Sequence, residues 1–161
     1  LRQIGAHINR MHLEDAIGVV LQGDGNENPA AVKTVSALSY DTLVDFWGEF
    51  DPYEMNTLLA GGEMMVKLLK LDELQDANAG LNFQGTGKLV TPLGAKLLRS
   101  SAVPAGTIIG LDRRFALEMV QGSDVLVEYD KLIDRQLERA AITSISGFGK
   151  ICDGASLVLN V

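Results

Sequence analysis

Few residues in this chain are of the types that drive catalysis, and their spacing decides what each could do. His7 and His12 are the only histidines and stand five apart in a helical stretch. Five helical steps turn the second side chain more than a quarter turn from the first, whereas a zinc-binding HExxH helix sets its histidines four apart on one face. With Glu14 and Asp15 nearby, the pair reads as structural or surface histidines and not as metal ligands. Ser146 lies in Ser-Gly-Phe-Gly, outside a GxSxG elbow, and Cys152 has no recognisable histidine context, so no activated nucleophile is legible. Gly85-Thr86-Gly87-Lys88 looks like part of a phosphate loop, but Asn82 stands where that loop needs its first glycine and Leu89 where it needs Ser or Thr. A hairpin turn is expected there instead. Asp24, Asn26 and Asn28 begin like a calcium loop, yet Pro29 and Val35 replace its required glycine and bidentate glutamate. Carboxylates such as Asp112 and Glu118 form a pair only if the fold brings them together. No catalytic, cofactor-binding or metal-binding residue is assigned, and no cofactor is expected.

Charge narrows the classes further. The 161 residues carry 14 Lys and Arg against 21 Asp and Glu, a formal charge of −7. Residues 1–80 hold 5 basic against 13 acidic side chains and residues 81–161 hold 9 against 8, so the halves are −8 and +1. An acidic total opposes a protein that grips DNA through its phosphates. It suits a soluble surface, or copies of one chain meeting side by side. A single cysteine makes no internal disulfide and fits a reducing compartment, and no apolar run is long enough for a membrane helix.

These residues must be positioned by elements, and the chain reads as one domain with helices early and strands late. Leu1, Ile4, Ile8 and Met11, then Leu13, Ala16, Ile17, Val20 and Leu21, make the stripe of one long helix that stops at Gly23-Asp24-Gly25. No capping residue precedes Leu1, which predicts that the helix continues upstream. Ser39 caps a second helix with an expected buried face of Tyr40, Leu43, Val44 and Trp47. Phe46, Phe50 and Tyr53 crowd the same region, so five of the nine aromatic residues fall between 40 and 53. That concentration anchors a core against a sheet; no basic residue lies among the rings to make a base-stacking platform. Residues 56–60 read as a strand, and Gly61-Gly62 leads into a third helix with Met64, Met65, Leu68, Leu69 and Leu74. Strand pieces follow at 88–91, 95–99, 107–111, 124–129 and 140–151, interrupted by a short helix or turn at 113–120. The expected class is α+β, with helices covering a mixed or antiparallel sheet.

Read together, these pieces resemble the major capsid proteins of tailed bacteriophages, the family with the Hong Kong 97-type fold. Gly23-Asp24-Gly25-Asn26 and Pro29 are similar to the end of that family's spine helix and the loop after it. Ser39-Tyr40-Asp41-Thr42-Leu43 resembles the start of the helix that opens the axial lobe, followed by the strand and helix at 56–71. Thr91-Pro92-Leu93-Gly94, the run from Val103 to Ile109, and Gly110-Leu111-Asp112 resemble the family's turn-rich strands and its Gly-x-Asp turn. Asp124 to Glu128, then Arg135 to Ile151, then Leu157 to Val161, resemble its terminal strands.

The resemblance implies a spine helix and an axial lobe with a mixed sheet flanked by helices. It divides the chain into the spine-helix end and loop (1–33), the axial domain (34–128), long peripheral strands (129–151) and a C-terminal strand (152–161). It implies a structural, non-enzymatic role as the head protein of a phage or prophage, made in the bacterial host cytoplasm and located in the virion capsid. The partners would be copies of itself in pentamers and hexamers, with scaffold, protease and portal proteins. Packaged DNA would be enclosed without sequence-specific binding, and no membrane is involved. The charge-dense stretch from Asp112 to Arg139 reads by itself as a solvated face; with the resemblance, Arg135, Glu138 and Arg139 become candidates for subunit contacts. The N-terminal arm and extended loop of such proteins are expected upstream of Leu1, and no crosslinking residue is assigned. Two other readings stand beside this one: an encapsulin-type compartment shell, and a small cytoplasmic α+β enzyme or ligand-binding domain using a cleft near Trp47 and Asp112.

Overall fold

The computed structural model of the protein describes residues 2–25, 30–75, 91, 93–132 and 136–161. Its first element, α1 (Arg2–Gln22), has 21 residues. At 1.5 Å per residue it is a rod about 32 Å long. Gly23, at φ 87°, adopts the left-handed conformation and donates its N–H to Val19 O at 2.9 Å, which ends the helix where the glycine predicted. The expected apolar stripe is only partly covered. Ile17 and Val20 are buried, whereas Ile4, Met11 and Leu13 are exposed, because the five-stranded sheet lies beneath the last turns of α1 and not the first.

Five strands form a mixed sheet: β1 (Val32–Thr34), β2 (Thr57–Ala60), β3 (Lys96–Arg99), β4 (Thr107–Leu111) and a late strand, Ser156–Asn160. Two further strands, β5 (Leu117–Leu132) and β6 (Leu137–Lys150), pair only with each other, so the late strand is β7. The sheet order is β1-β7-β4-β2-β3. Its outer pairs, β1 with β7 and β2 with β3, are parallel, and β4 runs antiparallel to both β7 and β2. The expected α+β class and mixed sheet are therefore present, and β1 is an edge strand that the sequence reading did not anticipate.

Helix α2 (Tyr40–Gly48) starts at a capping box, in which Ser39 Oγ accepts from Thr42 N at 3.2 Å and Thr42 Oγ1 from Ser39 N at 3.0 Å. It buries Leu43 and Phe46 and delivers Phe50 to the same core, while Val44 and Trp47 point to the surface. This corrects the expected face, and Gly110 is the reason. A Cβ on Gly110 would lie 2.8 Å from both Phe46 and Phe50, so the missing side chain makes the hollow that accepts these two rings. Helix α3 (Gly62–Leu69) buries Met64, Met65 and Leu68 in that core, and Leu74 belongs to a separate turn of helix, α4 (Asp72–Gln75), not to α3. Helices α2 and α3 cover one face of the sheet through Leu58, Ala60, Ile108 and Leu159; α1 covers the other through Ile109 and Val158. The short helix or turn expected at 113–120 is a tight turn over Arg113–Ala116, and Leu117 already belongs to β5. The pieces expected at 124–129 and 140–151 lie within the longer β5 and β6, with β6 ending at Lys150. The turn expected at Gly85–Lys88, and residues 88–90 of the strand expected at 88–91, lie outside the described residues.

Candidate functional site

The β5–β6 ribbon is the most unusual surface of the molecule. Strands of 16 and 14 residues at about 3.3 Å each extend about 50 Å, with no third strand beside them among the described residues. A two-stranded ribbon has little stability alone unless one face is packed. Here α1 packs on one face of β6: Ile142, Ser144, Ser146 and Phe148 are half-buried, while Ala141, Thr143, Ile145 and Gly147 between them are exposed. His12 meets the Phe148 ring edge-on at 6.3 Å.

Register shifts between Gln121 and Ser123 and between Ser123 and Leu126 add residues to β5 and change which side chains share the outer face. Direct pairing places Val120 opposite Gly147, Ser123 opposite Ile145, and Leu126 opposite Thr143. Val120, Leu126 and Ile145 are 60%, 56% and 65% exposed, and a Cβ on Gly147 or Gly149 would meet nothing within 4 Å. The result is an apolar strip left uncovered by the described residues and bordered by charge. On the helix-side face, Val127 and Tyr129 are also exposed beyond the reach of α1.

Glu138 and Arg139, two of the three candidate contact residues, lie toward the far end of the ribbon. Arg139 stands opposite Asp130, and its Nη2 donates to Asp130 Oδ2 at 3.0 Å. Glu138 is exposed and faces Lys131 across the strands. Arg135 lies outside the described residues. The apolar strip was missed by sequence reading because the bulges break the period-two alternation that reports a face. The available signal was Gly147-Phe148-Gly149, where small residues on a strand leave a surface open.

At the opposite end of the ribbon, Asp112 fastens β5 to the lobe. Its fully buried carboxylate accepts from Glu54 N at 3.1 Å, Asn56 Nδ2 at 2.8 Å, and Arg114 N, Nε and Nη2 at 3.1, 3.0 and 2.8 Å. Arg114 also reaches Glu54 Oε2 at 2.8 Å. The Arg114 guanidinium, aided by the backbone and Asn56 donors, holds the Asp112 carboxyl well below the usual carboxylate range against the opposing effect of burial. Asp112 in turn raises Arg114. With its lone pairs occupied, Asp112 is a structural latch and not a proton carrier. The neighbouring cleft of about 440 Å³, lined by Trp47, Asp51, Tyr53, Glu54, Met55 and Leu93 among others, contains Trp47 of the ligand-binding reading but not Asp112.

The remaining chemical candidates do not assemble. His12, Asp15 and Ser146 line one groove between α1 and β6, but no hydrogen bond joins them into a nucleophile and base. No cluster of three or more metal-ligating side chains occurs among the described residues. Asp24 Oδ2 accepts from Lys150 N at 3.4 Å, and Asn26 and Asn28 of the calcium-like run lie outside the described residues. No helix is long and apolar enough to cross a membrane among the described residues.

No family model and no curated protein matches the sequence. Solved structures do match the fold. A structure from Mycobacterium phage Che8 superimposes with a TM-score of 0.74 at 18% identity, covering 99% of this chain and 61% of that one. The capsid of cyanophage P-SCSP1u gives 0.67 at 12% identity, covering 98% and 63%. The holo-SrpI encapsulin complex from Synechococcus elongatus gives 0.66 at 17% identity, covering 99% and 63%. The chain thus spans less than two thirds of the length of these structures, and its fold is the Hong Kong 97-type fold of phage capsids and encapsulins.

Proposed function

We propose that this chain is part of a shell subunit whose work is to tile against copies of itself, specifically the head protein of a tailed phage or prophage. The observation that carries this reading is the ribbon: a strip of Val120, Leu126 and Ile145 facing solvent on a two-stranded element, in a fold shared with capsid and encapsulin shells. Exposed apolar strips on an extended element mark interaction surfaces. Burying that strip against a neighbour, repeated around a closed shell, builds stability from many modest contacts.

A cyanophage capsid and an encapsulin superimpose about equally, 0.67 and 0.66, so the choice of a phage head over a compartment rests on the order of sequence elements that resembles the phage family. In this reading α1 and the ribbon form the peripheral part and the five-stranded sheet the axial part. The proposed divisions at 33 and 151 are kept, whereas the one at 128 falls inside β5 and moves to that strand's start at Leu117. Glu138 and Arg139 at the ribbon's far end, together with Arg135, meet neighbouring subunits. The role is structural, without catalysis, and the acidic chain walls in DNA without holding it. Scaffold, protease and portal proteins are the assembly partners, in a virion made in the host cytoplasm.

Expression of the intact protein followed by electron microscopy tests the reading: hollow icosahedral particles support it, and a persistent monomer or small oligomer overturns it. Particles carrying DNA support the phage head, and particles loaded with an enzyme support the compartment. Leu126→Asp with Ile145→Asp is expected to abolish particles while the subunit melts within a few degrees of the parent. Unchanged particle yield removes the strip from the interface.

A further inference from the structure

Three pieces of chain meet around the cleft at the end of α2: the helix's last turn with Trp47, the connection to β2 with Asp51, Tyr53 and Met55, and the turn before β3 with Leu93. Its volume of about 440 Å³ is that of a small-molecule pocket, in which apolar walls carry a few polar groups that orient the ligand. The walls are braced from behind. Met55 is buried, and Leu93 packs against the main apolar cluster. Tyr53 is wedged between Phe115, with ring centroids 5.8 Å apart, and Gly154, where a Cβ would lie 3.2 Å from the ring. Trp47 is 46% exposed, a large ring that the core does not use.

The charged residues lining this cleft are Asp51 and Glu54, both acidic. Glu54 accepts from Arg114, whose guanidinium also serves Asp112 and is therefore engaged. Arg113 reaches the cleft's edge through its backbone N–H, which donates to Asn56 Oδ1 at 3.0 Å, and its side chain is exposed. Three carboxylates thus stand against two guanidiniums around the cleft, and Asp51 has no ion-pair partner among the described residues. Lys96 does not compensate it. It stands in register with Thr57, on the opposite side of the sheet from Leu58 and Leu97, which belong to the core under α2.

A half-exposed indole, an unpaired carboxylate and an apolar wall select one kind of ligand. An anion is repelled by Asp51 and Glu54. A divalent metal ion needs several clustered oxygen ligands, and no cluster of three or more metal-ligating side chains occurs among the described residues. A cation carried on a hydrocarbon chain satisfies all three features. We propose that the cleft binds an alkylammonium cation, the chemistry shared by free polyamines and a lysine side chain. The ammonium group sits against the Trp47 ring and donates to the Asp51 carboxylate, while its methylenes lie along Met55 and Leu93. The assignment uses no contact between copies, so it stands apart from the shell-subunit reading.

Trp47 is the only tryptophan of the sequence and reports on the site directly. The test titrates the intact, DNA-free protein with spermidine by calorimetry and by fluorescence, with Trp47→Phe subtracted to isolate the Trp47 emission. Saturable binding with a matching change in that emission is expected. Asp51→Asn and Trp47→Leu are each expected to weaken it about threefold or more. Asp15→Asn removes the same charge from α1, across the sheet, and is expected to leave the affinity within about 1.5-fold of the parent. Thermal melting confirms that each variant is folded. An end-blocked Gly-Lys-Gly peptide is titrated in parallel: tighter binding of spermidine assigns the site to a free polyamine, and tighter binding of the peptide assigns it to a lysine side chain. Binding that does not saturate, that leaves the Trp47 emission unchanged, or that weakens equally in Asp15→Asn and Asp51→Asn is diffuse attraction to an acidic surface and overturns the proposal.

Discussion

Asp112 shows how much one side chain can hold when five donors converge on it. Replacing it with Ala leaves Asn56 and the Glu54 amide without their acceptor, while exposed Arg114 keeps Glu54, and is expected to cost about 1–3 kcal/mol, measured by urea unfolding at pH 7. Its folded pKa is depressed, so its stabilisation is complete above the unfolded value of about 4 and is lost as the pH falls below that toward the folded value. Unfolding midpoints of the parent are expected to fall through this acid range, and those of Asp112→Ala to fall less. Gly110 two residues earlier contributes by what it lacks. Gly110→Ala forces a Cβ into Phe46 and Phe50 and is expected to cost about 1–3 kcal/mol by the same assay. Neither role was legible in the string, since Asp112 finds its partners Glu54 and Asn56 more than fifty residues upstream and Gly110 meets rings on another element. Arg139 was legible as a charge but not as a partner: its bond to Asp130 forms only once the ribbon's register is set.

Local signals were the most faithful at the level of elements. Ser39 and Thr42 form the cap that their spacing announced, and Ser39→Ala is expected to lower stability by about 1 kcal/mol, seen as a shifted urea midpoint with unchanged slope. Gly23 stops α1 for the reason that any glycine in a left-handed turn does. Periodicity misled where tertiary packing overrode it. Val44 and Trp47 fit a helical stripe, yet the hollow over Gly110 draws in Phe46 and Phe50 and rotates α2 accordingly. The strands at 124–129 and 140–151 were visible as fragments because bulges in β5 and glycines in β6 interrupt their alternation; their union into one long ribbon depends on cross-strand pairing. The α+β class followed from helices early and strands late, and β1 escaped because three residues carry too little pattern.

As a whole molecule the chain divides its burial unevenly. The lobe between α1 and the paired helices α2 and α3 encloses two apolar clusters, while the ribbon keeps its outer strip in solvent. Removing the charges at the ribbon's end tests assembly apart from folding. Arg135→Glu with Arg139→Glu removes the exposed Arg139–Asp130 pair, whose loss is expected to change stability by less than about 1 kcal/mol, and is expected to reduce particle yield in the intact protein. Unimpaired yield removes both residues from the contact. Among the described residues the ribbon is hydrogen-bonded to neither edge of the five-stranded sheet, and it leaves the lobe beside Asp112, with Ile151 N bonded back to Ala116 O at the root of the two strands. Any pull exerted by a neighbour on its free end is therefore shared between two moorings, the side of α1 along β6 and the root where Asp112 bolts the lever arm to the body. The subunit thus carries its own load path, from the tip of the outrigger to the aromatic core.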